Sequence, residues 1–339
     1  MAETRKVVSL SEVLKKVRKL QGHKWDRPAR WSDTQFRAGQ RWVRLAVRDR
    51  GRSLTVMPTA FEQVCRQMGI PPGYAASLDP TMAIKLLNYE RRRRRVDRRK
   101  QPMLIRGYGN LLRGVVSDRY VPLDDAMAVA AVRDALAERQ VRVHHCRVGL
   151  DGLELRLVFE DLRLPLLRTG RVGDVVSPGL YLRNSEVGLG CLVLECFILR
   201  LVCANGLVLP GDSTFHRWRH VAVNPEQVVA EIHRAVGRVA GEVAETVGLL
   251  DQAADRGVRG GAREALGALA HRESLSRDLT GALLHAYDKD AHDSLFGVVN
   301  AVTAAARSLP AAMRTRLELL AGSLLMQPEQ HGIGVAPAS

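Results

Sequence analysis

Residues 177–209, SPGLYLRNSEVGLGCLVLECFILRLVCANGLVL, are the densest apolar run in the chain, and polar residues break the run at fixed places. Asn184, Ser185 and Glu186 make a polar step between the apolar segments 180–182 and 187–194, and Asn205-Gly206 follows Cys203 at the end of the second segment. The run is long enough for a membrane span, but Glu195 and Arg200 would fall near its middle, where a charged side chain is costly in hydrocarbon. It therefore reads as the core of a folded protein with no membrane partner. Residues 181–184 read as one strand and 189–194 as the next. Phe197, Ile198, Leu201 and Val202 recur at helical spacing ahead of Asn205-Gly206, which suits a helix C-cap. A third strand with an Asn-Gly hairpin turn is the alternative.

The flanking sequence supplies elements that can cover such a core. Ser9-Leu10-Ser11-Glu12 has the form of a capping box, with Leu10, Val13, Leu14, Val17 and Leu20 on one face of the helix it opens. That helix can dock on the body, pair with another subunit or lie on a membrane surface. Trp25, Trp31, Phe36 and Trp42 are interleaved with Lys24, Arg27, Arg30, Arg37, Arg41 and Arg44, a mixture that suits either base stacking with phosphate tracking or a small packing unit. Alternation predicts hairpins over 41–57, over 103–117 around Tyr108-Gly109-Asn110, and over 141–159, with a helix over 125–139 between the last two. From Asn224-Pro225 onward helical patterns dominate, at 226–250, 262–270, 274–286, 292–307 and 311–325. The fold class is thus α+β, a central antiparallel sheet with packed helices followed by an all-helical C-terminal part. The expected divisions are a basic Trp-rich arm at 1–40, the α+β core at 41–222, the helical region at 223–327 and a flexible tail at 328–339. Val229, Ile232, Val236, Val239 and Val243 form a stripe on the 226–250 helix that needs cover, from its own chain or from a second copy in a homo-oligomer.

Charge is the strongest global signal. A formal net charge of +15 and a pI near 10.2 favour a polyanionic partner. The excess is densest at Arg91, Arg92, Arg93, Arg94, Arg95, Arg98, Arg99 and Lys100, where like charges oppose helix formation until an anion or open water relieves them. Arg106, Arg113 and Arg119 follow on the next hairpin, and Arg217, Trp218 and Arg219 form a second basic segment. Together these give a sequence-independent phosphate track, with Tyr108, Tyr120 or Trp218 to stack bases. Single-stranded DNA is the favoured partner.

Catalytic chemistry finds little to work with. Asp118, Asp124, Asp125, Glu186 and Glu195 are carboxylates without a recognised nuclease spacing. Asp118, Asn184, Ser185, Glu186 and Asn205 make a possible polar cluster, structural or functional. Cys191, Cys196, Cys203, His216 and His220 do not match zinc-ligand spacing. No Gly-Lys-Ser/Thr phosphate loop and no Gly-x-Ser-x-Gly elbow occurs, so neither an ATP-driven motor nor a serine hydrolase is expected, and no cofactor or metal is called for. Five cysteines and the lack of a signal-peptide pattern point to reduced thiols in the cytoplasm.

Several stretches also resemble a phage- and plasmid-borne family known as domain of unknown function 932. They are the segment from Gly114 to Tyr120 with Pro122-Leu123-Asp124, Asn184-Ser185-Glu186-Val187-Gly188, Arg200 to Gly206, Asn300-Ala301-Val302-Thr303, and Leu317 to Gly322. They occur in the family's order over roughly residues 85–325, and this sequence has Ala204 where the family often has threonine. The resemblance implies a mobile-element protein of bacterial origin and supplies no activity. At the level of fold alone, a sheet flanked by helices and edged by arginines is similar to phage strand-annealing proteins, which act without ATP as rings. The expectation is an ATP-independent protein that handles or anneals single-stranded DNA in replication or recombination. The alternatives are a metal-dependent nuclease without a recognised motif, or a non-catalytic interaction protein such as a host-defence antagonist.

Overall fold

A computed structural model describes residues 9–39, 43–48, 51, 53–94, 102–170, 173–200, 205–208 and 215–336. Its α+β architecture contains two sheets rather than one. The first is built from β1 (Lys24–Arg30), β2 (Thr34–Ala38), β3 (Val43–Val47), β4 (Leu54–Val56), β5 (Pro102–Tyr108) and β6 (Leu111–Ser117), in the order β1-β5-β6-β4-β3-β2. The region expected as a free basic arm therefore contributes edge strands. β1 runs antiparallel to β5, from Lys24 opposite Tyr108 to Arg30 opposite Pro102. Trp25 lies on the backbone of Gly107, where a Cβ would come within 2.0 Å of the indole, so only glycine fits beneath that ring. Trp31 and Phe36 pack in one core with α2 (Pro58–Met68). α3 (Pro72–Ser77) and α4 (Pro80–Arg94) complete this half.

α1 (Leu10–Gln21) opens with the expected capping box: Ser9 Oγ accepts from the Glu12 amide at 3.2 Å, and Glu12 Oε2 accepts from the Ser9 amide at 2.7 Å. Its apolar face, Leu10, Val13, Leu14 and Val17, docks on the body against α5 (Asp125–Ala135) and β7 (Val141–Val148). The second sheet has the order β12-β11-β10-β8-β7, made of β7, β8 (Leu153–Phe159), β10 (Val175–Asn184), β11 (Leu192–Arg200) and β12 (Asn205–Val208). β9 (Leu164–Pro165) pairs with β10, and β13 (Phe215–Trp218) pairs with β11.

The helix expected from Phe197 onward is strand through Arg200. Every residue of β11 is buried, so apolar side chains occupy both faces and the period-two alternation that marks a half-exposed strand disappears. The alternative of a separate third strand closed by an Asn-Gly turn does not form either, since Leu192–Arg200 is one continuous strand. Asn205 and Gly206 stand in β12 opposite Arg200 and Leu199, and residues 201–204 lie outside the described residues.

The two faces of this sheet differ. Leu155, Leu157, Leu180, Leu182, Leu194, Cys196 and Ile198 face a large core shared with α1, α5 and the C-terminal helices. The other face is apolar at one end, where Val158, Phe197, Leu199 and Val208 pack with Leu319. By strand register its other end carries Arg147, Glu154, Arg156, Arg183, Glu195 and Arg217.

The C-terminal helices α6 (Pro225–Gln252), α7 (Ala262–Arg272), α8 (Arg277–Lys289), α9 (Leu295–Ala306) and α10 (Ala311–Met326) follow the expected pattern. Ile232, Val236 and Val239 of the α6 stripe are buried within the chain and Val229 is half-buried, while the Val243 side chain lies outside those described. The segment expected as a loose tail is packed up to residue 336. Ile333 and Val335 are buried, and Val335 forms a β-bridge with Val258. Among the described residues no helix is long and apolar enough to cross a membrane.

Candidate functional site

The polar step at 184–186 is the meeting point of the two sheets. Glu186 ends β10's excursion as a completely buried carboxylate, with Lys24 Nζ and Arg113 Nη1 each 2.6 Å from Oε2, and with Oε1 accepting from the Asp125 amide at 2.9 Å. Asn184 Nδ2 donates to Asp125 Oδ1 and to the Leu123 carbonyl, both at 2.8 Å. Arg106 grips Asp26 with two bonds of 2.8 and 2.9 Å, reaches Asp124 at 3.0 Å and donates to the Glu186 carbonyl. The Tyr120 hydroxyl donates to the Ser185 carbonyl at 3.1 Å, and its ring stacks on His220 with centroids 4.7 Å apart. One cluster thus ties β1, the β5–β6 hairpin, the loop ahead of α5 and the end of β10. Close packing reinforces it, since a Cβ on Gly114 would stand 2.9 Å from Val187 Cβ.

Burial sets the ionisation of this cluster, and the cations correct it. Burial opposes ionisation of Glu186, but Lys24 and Arg113 outweigh it and hold its carboxyl below the usual range. Asp125 is pushed up, first by burial and then by the Glu186 charge, with Lys24 offsetting part of the rise. Burial lowers His220 to about 4 and raises the Tyr120 phenol. The Glu186 and Asp125 carboxylates are completely buried and engaged, so they act as a joint between the two sheets.

Charge on the surface is a separate matter. Among the described residues, Arg106, Arg113, Arg156 and Arg200 are buried, as are Asp125, Asp174, Glu186, Glu195 and Glu318, and the Lys24 side chain is 2% exposed. At formal charge these five basic and five acidic side chains balance, so the formal excess of +15 belongs to the remaining residues.

α4 presents part of that excess in an ordered way. Ala83 and Leu87 are buried, Asn88 bonds both the amide and the carbonyl of Phe36 at 3.0 and 2.8 Å, and Arg91 donates to the Trp31 carbonyl. With about 100° between successive residues, the opposite face carries Met82, Lys85, Tyr89, Arg92 and Arg93. All five are exposed, Met82 at 55% and Tyr89 at 54%, and Arg93 lies over the Tyr89 ring at 5.9 Å. Tyr74 on α3 is 57% exposed.

The residues expected to contact nucleic acid thus separate into groups. Arg92 and Arg93 are on the outer face of α4, and Arg91 is on its inner side. Arg95, Arg98, Arg99 and Lys100 lie outside the described residues, as do the side chains of Arg94 and Asn205. Arg119, Arg217, Arg219 and Asp118 are exposed. Arg106 and Arg113 are corrected to interior positions, each 1% exposed, because their guanidinium groups neutralise Asp26, Asp124 and Glu186. Tyr120 and Trp218 are also interior, the latter with Nε1 donating to Glu231, and Tyr108 is half-buried edge-on to His23. Tyr74 and Tyr89 are the tyrosines available for stacking, and Tyr89 could have been singled out from its place two residues before the arginine run. Asn184, Ser185 and Glu186 do come together, without Asp118. Among the described residues no group of three or more His, Cys, Asp or Glu side chains is arranged to hold a metal ion.

A family model described as a domain of unknown function (DUF932) matches residues 113–313, more than half of the chain, and the chain belongs to that family. No curated protein and no solved structure matches it. Four of the stretches that carried the resemblance meet in pairs: Tyr120 donates to the Ser185 carbonyl and Asn184 to the Leu123 carbonyl, and Arg200 Nη1 donates to Asn300 Oδ1 at 2.8 Å, while Glu318 of the fifth pairs with Arg156 outside them.

Proposed function

We propose that this member of the DUF932 family is an ATP-independent nucleic-acid-binding protein that handles single-stranded DNA, and that the outer face of α4 is a contact surface. The observation that carries the reading is the exposed row Met82, Lys85, Tyr89, Arg92 and Arg93, which runs directly into the sequence Arg94 to Lys100. Guanidinium and ammonium groups spaced along one helix face neutralise successive phosphates, and an exposed tyrosine among them gives unpaired bases a surface to stack on. Duplex bases are already stacked on each other, so an aromatic in this position favours the single strand. The formal net charge of +15 adds long-range attraction to the same partner.

The nuclease alternative has less support. Of its candidate carboxylates, Glu186 is completely buried and engaged by Lys24 and Arg113, out of reach of a scissile phosphate, Asp125 and Glu195 are buried too, and Asp118 is exposed. Fluorescence anisotropy with labelled single-stranded and duplex DNA, comparing the wild type with Y89A/R92Q/R93Q, tests the proposal. Tighter single-strand binding that weakens in the variant supports it and leads to a strand-annealing assay. Equal, unchanged binding of wild type and variant to both substrates would remove α4 from the interface, and no binding at low salt would remove the function.

A further inference from the structure

The charged end of the second sheet's outer face opens into a cleft of about 410 Å³. Its walls come from Arg147 at the end of β7, Glu154 on β8, Arg183 on β10, Ser185 and Cys191 in the turn before β11, and Arg217 on β13. This volume lies within the range of small-ligand sites. All these residues fall inside the 113–313 segment, and none belongs to α4.

The charges in the cleft are unevenly satisfied. Its two lining carboxylates, Asp151 and Glu154, are both held by Arg147, at 3.6 and 2.9 Å. Arg183 spends Nη2 on Glu195 at 2.8 Å, while its buried Nε has no hydrogen-bond partner. Glu195 lies completely buried beneath it, and burial pushes that carboxyl above its usual range despite Arg183. Arg217 is exposed and donates Nε to Cys191 Sγ at 3.1 Å, a thiol being a poor acceptor. Two guanidinium groups therefore line one cleft, Arg183 holding Glu195 and Arg217 holding, among the described residues, only the Cys191 thiol. The turn that positions Cys191 is fixed from behind, because Asn184 and Glu186 belong to the buried cluster and Ser185 Oγ accepts from the Leu189 amide at 3.0 Å.

We infer that this cleft is a phosphate-binding site separate from α4, in which Arg183 and Arg217 hold a phosphate group of a free nucleotide or of a nucleic-acid strand. A planar guanidinium matches a phosphate with two parallel hydrogen bonds, and two of them on one oxyanion give geometric selection as well as charge. Cys191, half-buried at the lip, reports occupancy without taking part in binding. Cys146 is the other half-buried free thiol among the described residues and lies outside the cleft, while Cys65 and Cys196 are buried.

The test is peptide-resolved alkylation of the full-length protein by iodoacetamide, with inorganic phosphate, deoxythymidine monophosphate or a short deoxythymidine strand as probe. The expected result is a several-fold slower reaction at Cys191 with Cys146 unchanged, and loss of that protection in R183Q/R217Q. R217Q alone, at an exposed position, keeps the test valid if R183Q disturbs Glu195. Each variant is compared with itself with and without probe, since removing Arg217 also changes the thiol's own reactivity. Protection by the mononucleotide and phosphate but not the strand assigns a free nucleotide; protection by the strand at lower concentration assigns nucleic acid. The K85Q/R92Q/R93Q variant should keep protection by the mononucleotide, so failure of the α4 proposal and failure of this one are distinguishable. Cys191 reacting at the same rate with every probe, or protection that survives R183Q/R217Q, would overturn the inference.

Discussion

Replacing Glu186 by glutamine isolates the joint between the two sheets. The substitution preserves shape and removes the charge that faces Lys24 Nζ and Arg113 Nη1, both at 2.6 Å and both inside the protein. Deleting one partner of a buried ion pair costs about 3–5 kcal/mol, because the remaining charge is left uncompensated away from water. Here the cost should fall at the lower end. Asp125 Oδ2 is 3.8 Å from Lys24 Nζ, and relief from the Glu186 charge lets Asp125 ionise and take over part of the neutralisation. With 339 residues and about 2.1 cal/mol/K per residue of unfolding entropy, roughly 0.7 kcal/mol corresponds to one degree, so a loss of about 3 kcal/mol lowers Tm by about 4 °C. Thermal and urea unfolding followed by circular dichroism give both numbers. The double variant E186Q/K24M should recover much of the loss, since the stranded ammonium is then gone as well. E186Q within about 0.5 kcal/mol of wild type, the usual size of a surface substitution, would refute the joint.

Acid should destabilise the protein through its buried histidines. His220 and His144 are both lowered to about 4, chiefly by burial, so the unfolded chain takes up their protons first and the stability they contribute is lost as pH falls from about 6.5 towards 4. H220F, which keeps the stack on Tyr120, should flatten part of that slope in unfolding measured across this range; an unchanged slope would contradict the buried neutral imidazole. G107A drives a methyl group into the Trp25 indole and should cost about 1–3 kcal/mol through displacement of β1. An unfolding midpoint equal to wild type would show that Trp25 does not lie there.

The helical C-terminal part and the hairpins were legible because their periodicities are local and one-sided. The first part of β11 was legible as a strand over 189–194, but its continuation through Phe197 and Ile198 was not, because burial on both faces erased the alternation. Arg106 and Arg113 read as surface charges for a related reason. Their partners Asp26 and Glu186 lie 80 and 73 residues away in the chain, and no local pattern announces such a pairing. The one available signal was Glu186 itself, an acid set in an apolar run, which in the interior requires a cation. The polar step was legible as a feature and its partners were not. Lys24 shows the same limit, since its place among aromatic residues left a surface or a packing unit equally open and its ammonium is in the core. On α4 the arginines drew attention, while the exposed Met82, Lys85 and Tyr89 became visible once Asn88 and Arg91 fixed which side of the helix faces the body.

The salt dependence of single-strand binding is the most direct test of the nucleic-acid reading. For wild type and K85Q/R92Q/R93Q, the logarithm of the association constant is plotted against the logarithm of salt concentration. Each lost phosphate contact lowers the slope by about 0.7 on a single strand, so removing three cations from the α4 face should reduce it by roughly 2. A slope that does not change between the two proteins, or a wild type that binds no nucleic acid even at low salt, would contradict it.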